Sequence, residues 1–317
     1  MQQTEERIEQ AAGIIRRGGL VAFPTETVYG LGADALNPIA VARIFEAKER
    51  PSFDPLIVHI ARLEQLPELT LSRDPRIMLL AEAFWPGPLT LVLPKQARVP
   101  DLVTSGLPTV GIRMPDHPIA RELILRSGCP IAAPSANKFG HLSPTRAEHV
   151  LRNLPEADLV LDGGATQVGI ESTIVALAED GFQILRPGVV TREDLLKLLP
   201  ESALAPGSGP VQAPGMLASH YSPRKPLYLV EPGQTPGIDT SVCGYIGFRK
   251  PPAEAYREVQ LLAPEGDMRE YAAGIFGALH HMEASAVEAI VAETVPEQGL
   301  GVAIMDRLRK AAYDYSR

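Results

Sequence analysis

Two short polar motifs in this sequence are equipped for phosphate chemistry. Lys48-Glu49-Arg50 offers two cations separated by one residue at the close of an apolar-periodic stretch. Ser135-Ala136-Asn137 offers a hydroxyl and an amide just after the apolar run Pro130-Ile131-Ala132-Ala133-Pro134. Arginine grips a phosphate through parallel N–H bonds and lysine acts as a point charge, so the pair suits a pyrophosphate. In open α/β sheets ligands bind at strand ends and in the loops that follow them, and the second motif is expected in such a loop. An isolated cation pair at a helix end would merely complement the helix dipole, worth about 0.3–1 kcal/mol. Here Pro51-Ser52-Phe53-Asp54-Pro55 follows at once, which predicts a constrained turn.

Other residues have both a chemical and a structural reading. Thr25 and Thr27 follow a buried strand, where hydroxyls either bind a small polar ligand or satisfy the backbone. His59 stands in an apolar strand, the setting of a hydrogen-bonded core histidine. Arg113 ends the run Val110-Gly111-Ile112, where a cation suits a carboxylate but is also common on surfaces. Ser135 and Asn137 are turn formers as well as polar ligands. Gly30-Leu31-Gly32-Ala33-Asp34-Ala35 matches the dinucleotide pattern GxGxxA, with Asp54 about twenty residues on. That pattern requires the glycines directly between a strand and a helix, and Pro24-Thr25-Glu26-Thr27-Val28-Tyr29 intervenes. His280 and His281 are neighbours on a helix and point different ways, and no cysteine or histidine cluster suggests zinc. There is no P-loop and no G-x-S-x-G elbow.

The elements that must position these residues can be read from periodicity and punctuation. Helices are expected over 5–17, from Asn37-Pro38 to Lys48, from Asp74-Pro75 to Trp85-Pro86, and over 118–126. Further helices are expected after a Thr145/Glu148 capping box and after a Thr191/Asp194 cap. Strands are expected at 20–23, 56–60, 89–93, 110–113, 131, 159–161, 172–176 and 182–185. Residues 201–226 are rich in proline and glycine and read as a linker. Beyond it, strands at 227–230, 242–248 and 259–262 and helices at about 268–280 and 303–313 make a second, smaller α/β unit. The expected domains are thus 1–200, the linker 201–226, and 227–317.

The whole chain sets the class. Its 317 residues suit about two domains, 45% are apolar and 21% charged. A net charge of −8 argues against a basic nucleic-acid coat. Cys129 and Cys243 are too few for a disulfide framework and fit a reducing compartment. The start, Met1-Gln2-Gln3-Thr4-Glu5-Glu6, lacks a signal-peptide pattern, and no apolar run reaches membrane-spanning length. A cytoplasmic protein without a membrane contact is expected.

Taken in order, the motifs resemble those of the threonylcarbamoyl-AMP synthase family in its long two-domain form, with a YrdC-like catalytic domain. Pro24-Thr25-Glu26-Thr27-Val28-Tyr29-Gly30-Leu31 resembles the family signature, and Lys48-Glu49-Arg50 and Ser135-Ala136-Asn137 resemble its KxR and SxN motifs. Glu171-Ser172-Thr173, Arg186-Pro187-Gly188, the segment Ala213-Pro214-Gly215-Met216-Leu217-Ala218-Ser219-His220-Tyr221-Ser222-Pro223 and the tail 299–308 follow in family order. Ala213 and Leu217 depart from the commoner Ser-Pro-Gly-Met-Lys form, and Asp54 stands where relatives often have Asn.

The resemblance implies a twisted mixed-sheet catalytic domain and a smaller Rossmann-like domain. It also implies synthesis of threonylcarbamoyl-adenylate from L-threonine, bicarbonate or CO2, and ATP, with Mg²⁺, for tRNA modification. By motif, Thr27, His59, Arg113 and Ser172 with the Ala133 backbone would bind threonine. Arg50, Ser135, Ser143 and Arg186, with Lys48, Asp54, Thr109 and Asn137, would bind ATP, Lys48 and Arg50 acting on the leaving pyrophosphate. Met216, His220 and Tyr221 would form a lid that excludes water. Downstream transfer proteins, and a weak contact with tRNA, are the implied partners. The rival readings are a non-catalytic RNA-binding module using the same cleft, which predicts strongly salt-dependent affinity, and a dinucleotide-dependent oxidoreductase.

Overall fold

The computed structural model describes residues 2–203, 214 and 220–313. Its strands, in chain order, are β1 (Val21–Phe23), β2 (Gly30–Asp34), β3 (Ile57–His59), β4 (Leu89–Pro94), β5 (Thr109–Arg113), β6 (Ile131–Ala132), β7 (Leu159–Val160), β8 (Thr173–Ala178), β9 (Gly181–Arg186), β10 (Leu227–Val230), β11 (Cys243–Gly247), β12 (Glu258–Leu261) and β13 (Ala289–Glu293). The first nine form one mixed sheet in the order β7-β1-β2-β6-β3-β5-β4-β8-β9. The last four form a separate parallel sheet, β10-β13-β11-β12.

The period-two alternation of strand side chains sorts the large sheet into two faces. Ala22, Leu31, Val58, Leu91, Ile112 and Val175 enter one core with the helices Pro38–Lys48 and Pro75–Phe84. Val21, Phe23, Ile131 and Ala133 enter a second core with the helices Gln2–Arg16 and Pro118–Ser127. Those two helices cover only the β1–β6 part of their face. The rest of it, where Ile57, His59 and Arg113 stand, is left for a cavity.

Helix punctuation follows the sequence in most places. Asn37 Oδ1 accepts from Ile39 and Ala40 N–H at 3.0 and 3.2 Å, and Thr191 and Asp194 form a reciprocal capping box. The Thr145/Glu148 capping box does not form. The helix Ala147–Asn153 begins after Arg146, and the Thr145 N–H donates to His149 Nδ1 at 3.2 Å. The imidazole, one turn away, takes the Thr145 N–H that a capping box would give to the Glu148 side chain. Two strands, β2 and β13, were not expected. β2 contains the GxGxxA match, so its glycines lie within a strand and the dinucleotide reading is overturned. The reason for Gly32 is steric: a Cβ there would lie 2.6 Å from Phe23 Cε1 and 2.7 Å from Ile131 Cγ2. β13 is apolar over residues 289–292 and buried throughout, a pattern that helix and strand share.

The second unit packs onto the first through one shared core. Val28, Leu142, Ile170 and Tyr221 meet Tyr271, Ile275, Phe276 and Leu279 of the helix Met268–Ala284. Gly169 allows the close approach: it has φ +78°, and a Cβ would lie 2.3 Å from the Ala272 carbonyl oxygen. No described helix is long and apolar enough to cross a membrane. Gly32→Ala should lower unfolding free energy by roughly 1–3 kcal/mol through overpacking, read from urea denaturation. An unchanged midpoint would show that the β1–β6 face has slack.

Candidate functional site

The uncovered face of the large sheet carries a cavity enclosing roughly 550 Å³, its open mouth included. Its wall is assembled from distant segments: Thr25 and Thr27 after β1, Ile57 and His59 of β3, Arg113 of β5, and Ala133 to Ser135 after β6. Glu171 and Ser172 before β8, Arg186 of β9, Arg50, Pro214, His220 and Tyr221 complete it. Ile57 and His59 are two apart on one strand, so they share a face, and His59 is the register partner of Arg113. The site therefore spreads over a sheet face as well as loops, rather than sitting only past the strand ends.

Arg113 is fixed by three acceptors. Its Nε donates to Gly87 O at 3.2 Å, Nη1 to Thr27 Oγ1 at 3.0 Å, and Nη2 to Glu26 Oε1 at 2.5 Å. A guanidinium has five N–H donors, so one on each terminal nitrogen remains, the arrangement that meets a carboxylate in two parallel bonds. Thr25 and Thr27 share a hydroxyl hydrogen bond of 2.8 Å beside it. Burial, with the Arg113 charge as the second cause, drops the His59 pKa to about 3. His59 is thus a neutral ring, and its buried Nδ1 has no protein partner among the described residues. Ser172 Oγ shares a 2.8 Å hydrogen bond with Thr90 Oγ1.

On another part of the wall stand Arg50, Arg186 and Ser135. Glu49 adopts a left-handed backbone with φ 53° and ends the preceding helix, which turns Arg50 inward. Arg50 donates from Nε to Asp54 O at 3.0 Å and from Nη2 to Pro55 O at 2.9 Å, and it pairs with the Asp54 carboxylate at 2.9 Å. Its Nη1 has no protein acceptor among the described residues. Burial presses the Asp54 pKa upward and that of Arg50 downward, and each charge opposes that shift in the other. Arg186 donates to Ser172 O from Nε at 3.2 Å and from Nη2 at 3.0 Å, and to Pro214 O from Nη1 at 3.2 Å.

Some expected residues lie behind this wall. Lys48 is buried and donates to the carbonyls of Ser135, at 2.7 Å, and Asn137. Burial, then the nearby Arg50 charge, lowers its pKa far below the usual lysine range. It braces the Ser135 loop from the rear, which is neither the solvated helix end nor the cation facing a ligand that its motif suggested. Asn137 spends its amide N–H groups on Lys138 O at 2.8 Å and His141 O at 2.9 Å. Ser143 donates to Glu171 Oε1 at 2.5 Å. Asp54 backs Arg50, which accounts for an acid so near the cations. Thr109 lines a smaller neighbouring pocket that shares Ile57 and Pro214 with the main one. His220 and Tyr221 line the cavity itself, whereas Met216 falls outside the described residues.

Two acids were not singled out from the sequence as site residues. Glu26 orients Arg113, and its Oε2 also accepts from the Asp116 N–H at 3.0 Å. Glu171 lies on the wall. The available signal was motif membership, since Glu26 lies within the 24–31 signature and Glu171 opens Glu171-Ser172-Thr173.

Comparison with known proteins gives a consistent result. The family model described as "Telomere recombination" (Sua5_yciO_yrdC) matches residues 13–188, and one described as "Threonylcarbamoyl-AMP synthase, C-terminal domain" matches 190–313. A threonylcarbamoyl-AMP synthase of Pyrococcus abyssi is 44% identical over 97% of this chain and 96% of its own length. One of Bacillus subtilis is 43% identical over 97% and 93%. The crystal structure of P. abyssi Sua5 complexed with L-threonine is similar, with a TM-score of 0.86 and 43% identity, covering 98% of this chain and 95% of that one.

The depressed His59 pKa makes a direct prediction. Between pH 5.5 and 8 its imidazole NMR signals should stay those of a neutral tautomer. Because the unfolded ring titrates near 6.5 and the folded one near 3, its contribution to stability is complete above 6.5 and declines as pH falls toward 3. A titration midpoint above pH 5 would contradict the dry site described.

Proposed function

From the premise that this chain belongs to the threonylcarbamoyl-AMP synthase family, we propose how its cavity divides the work of joining L-threonine, bicarbonate or CO2, and ATP into threonylcarbamoyl-adenylate and pyrophosphate. The observation that carries this reading is the presence, on one wall, of a guanidinium with two spare N–H donors beside hydroxyls and a neutral imidazole, together with two further buried arginines and a serine.

The threonine carboxylate takes the two free N–H donors of Arg113, and Thr27 and His59 receive the hydroxyl. Ser172 and the Ala133 backbone complete the amino-acid side. The amine and CO2 form a carbamate, with loss of a proton to solvent. A carbamate oxygen then attacks the α-phosphorus. The new bond is O–P, the bond broken is between the α-phosphorus and its bridging oxygen, and pyrophosphate leaves with the electron pair. Arg50 and Arg186, with Ser135, take the phosphates, and Lys48 and Asn137 act by shaping the Ser135 loop. Ser143 acts through Glu171, and Asp54 through Arg50. Positioning and charge stabilisation suffice for such a step, so no protein nucleophile is needed.

The wall favours phosphate oxygens over a metal. Its one carboxylate, Glu171, has its oxygens engaged by Ser143 and Arg307, and no cluster of three candidate metal ligands occurs among the described residues. Mg²⁺ is therefore assigned to the phosphates of ATP, where it supplies charge neutralisation. His220 and Tyr221, with Pro214, are assigned to a cover that keeps water from the labile carbamate and adenylate. The free thiols Cys129 and Cys243 support a cytoplasmic site of action. The adenylate would pass to other proteins that modify adenosine in tRNA, and any contact with tRNA here would be weak.

Purified protein should release pyrophosphate from ATP only when threonine and bicarbonate are both present. A folded sample giving no such release would refute the reading. Arg50→Ala should cut turnover by about 100-fold, the scale of losing one charge-stabilising donor, and near-normal rates would remove Arg50 from the site. Arg113→Lys keeps a charge but loses the fork. It should raise the KM for threonine roughly tenfold, with the KM for ATP little changed. Equal rises in both would place Arg113 outside the amino-acid half.

A further inference from the structure

Arg307 belongs to the helix Leu300–Ala312 in the second unit, yet it reaches the first unit's cavity wall. It is the largest fully buried side chain among the described residues. Its Nε donates to Glu171 Oε2 at 2.9 Å, and its Nη1 to Pro187 O at 2.9 Å and Asp306 Oδ2 at 2.7 Å. Its guanidinium lies 5.4 Å from the centre of the Tyr221 ring. The other Glu171 oxygen accepts from Ser143 at 2.5 Å. The wall carboxylate is thus gripped from both sides, by a serine of the first unit and an arginine of the second.

The chemistry asks why that grip exists. Glu171 and Arg186 line the same cavity. A carboxylate left unpaired there would repel any anionic ligand and draw Arg186 toward itself. A lone ion pair that merely joins two domains has no reason to place its acid on a cavity wall. We propose that Arg307 is a positioning residue for the nucleotide: it cancels and orients the Glu171 carboxylate, so that the N–H donors of Arg186 not spent on Ser172 and Pro214 stay available for phosphate. The second unit thereby becomes part of the ATP site without touching ATP. This rests on the functional reading above, in which the triphosphate lies against Arg50 and Arg186.

The test compares Arg307→Met, Glu171→Gln and the double variant, each checked for native circular dichroism and cooperative melting. Arg307→Met should raise the KM for ATP roughly tenfold to thirtyfold, as expected for one uncompensated charge several ångströms from a triphosphate. The KM for threonine should move far less. Adding Glu171→Gln should return the KM for ATP to near that of Glu171→Gln alone, and Arg307→Lys should rescue in part. A purely structural tie predicts something else: both Michaelis constants rise together, or the second substitution gives no rescue. Either result overturns the proposal, as does a folded Arg307→Met with native ATP affinity. If Arg307→Met alone does not fold, the double variant decides, because neither charge then remains. ATP affinity matching Glu171→Gln supports the proposal, and a further tenfold loss overturns it.

Binding of a non-hydrolysable ATP analogue gives the same comparison without turnover. Native protein that binds the analogue but releases no pyrophosphate would sink the functional reading while the binding ratios still judge Arg307. Native protein that binds no nucleotide would sink both.

Discussion

Everything about this site follows from keeping several guanidinium groups out of water on one side of a sheet. Arg50, Arg113, Arg186 and Arg307 are 8%, 3%, 4% and 1% exposed. Burying a charge without partners is prohibitive, so each is tied to internal acceptors: Asp54 and two carbonyls, Glu26 with Thr27, Ser172 with Pro214, and Glu171 with Asp306. The ties leave some donors over. Among the described residues, Arg113 keeps one N–H on each terminal nitrogen without an acceptor, and Arg50 keeps Nη1. The excess is what a carboxylate or a phosphate completes, and because the groups are already desolvated and oriented, little reorganisation accompanies binding.

The sheet makes this arrangement affordable by alternation. Val58 and Ile112 face one hydrophobic core, while their neighbours Ile57, His59 and Arg113 face the cavity. A register slip of one residue would exchange the two sets, so the hydrophobic pattern that folds the domain also fixes which residues meet the ligand. The same logic explains the neutral His59: the strand that presents it is dry, and the Arg113 charge lies on its partner strand. The helices of the second face stop short of it, and Pro214, His220 and Tyr221 help to wall the remaining gap, with Tyr221 packed against the helix Met268–Ala284.

Much of this was legible in order of residues. The strand ending in His59, the strand ending in Arg113, and the turn holding Arg50 were marked by apolar runs and by proline, and ten of the residues chosen from motifs line the cavity: Thr27, Arg50, His59, Arg113, Ala133, Ser135, Ser172, Arg186, His220 and Tyr221. Lys48 and Ser143 were drawn in by the same motifs, but burial turns Lys48 to carbonyls and Ser143 to a carboxylate. The glycines of β2 looked like a nucleotide fingerprint because spacing records their identity and not the Phe23 ring and Ile131 side chain that require them. Thr145 looked like a cap because a competing His149 acceptor is invisible until the helix is built.

The sequence by itself determined most of the local elements, the two α/β units and the family, since these depend on periodicity, caps and short motifs whose residues are near one another in the chain. Only the tertiary structure decided which polar groups face the ligand and which are spent on the protein. That choice depends on where a charge finds its partner. Lys48 finds its partners more than eighty residues away, and Glu171 finds Arg307 at a separation of 136. Residues that distant share no local pattern, and their pairing is fixed by the free-energy cost of leaving either one buried alone.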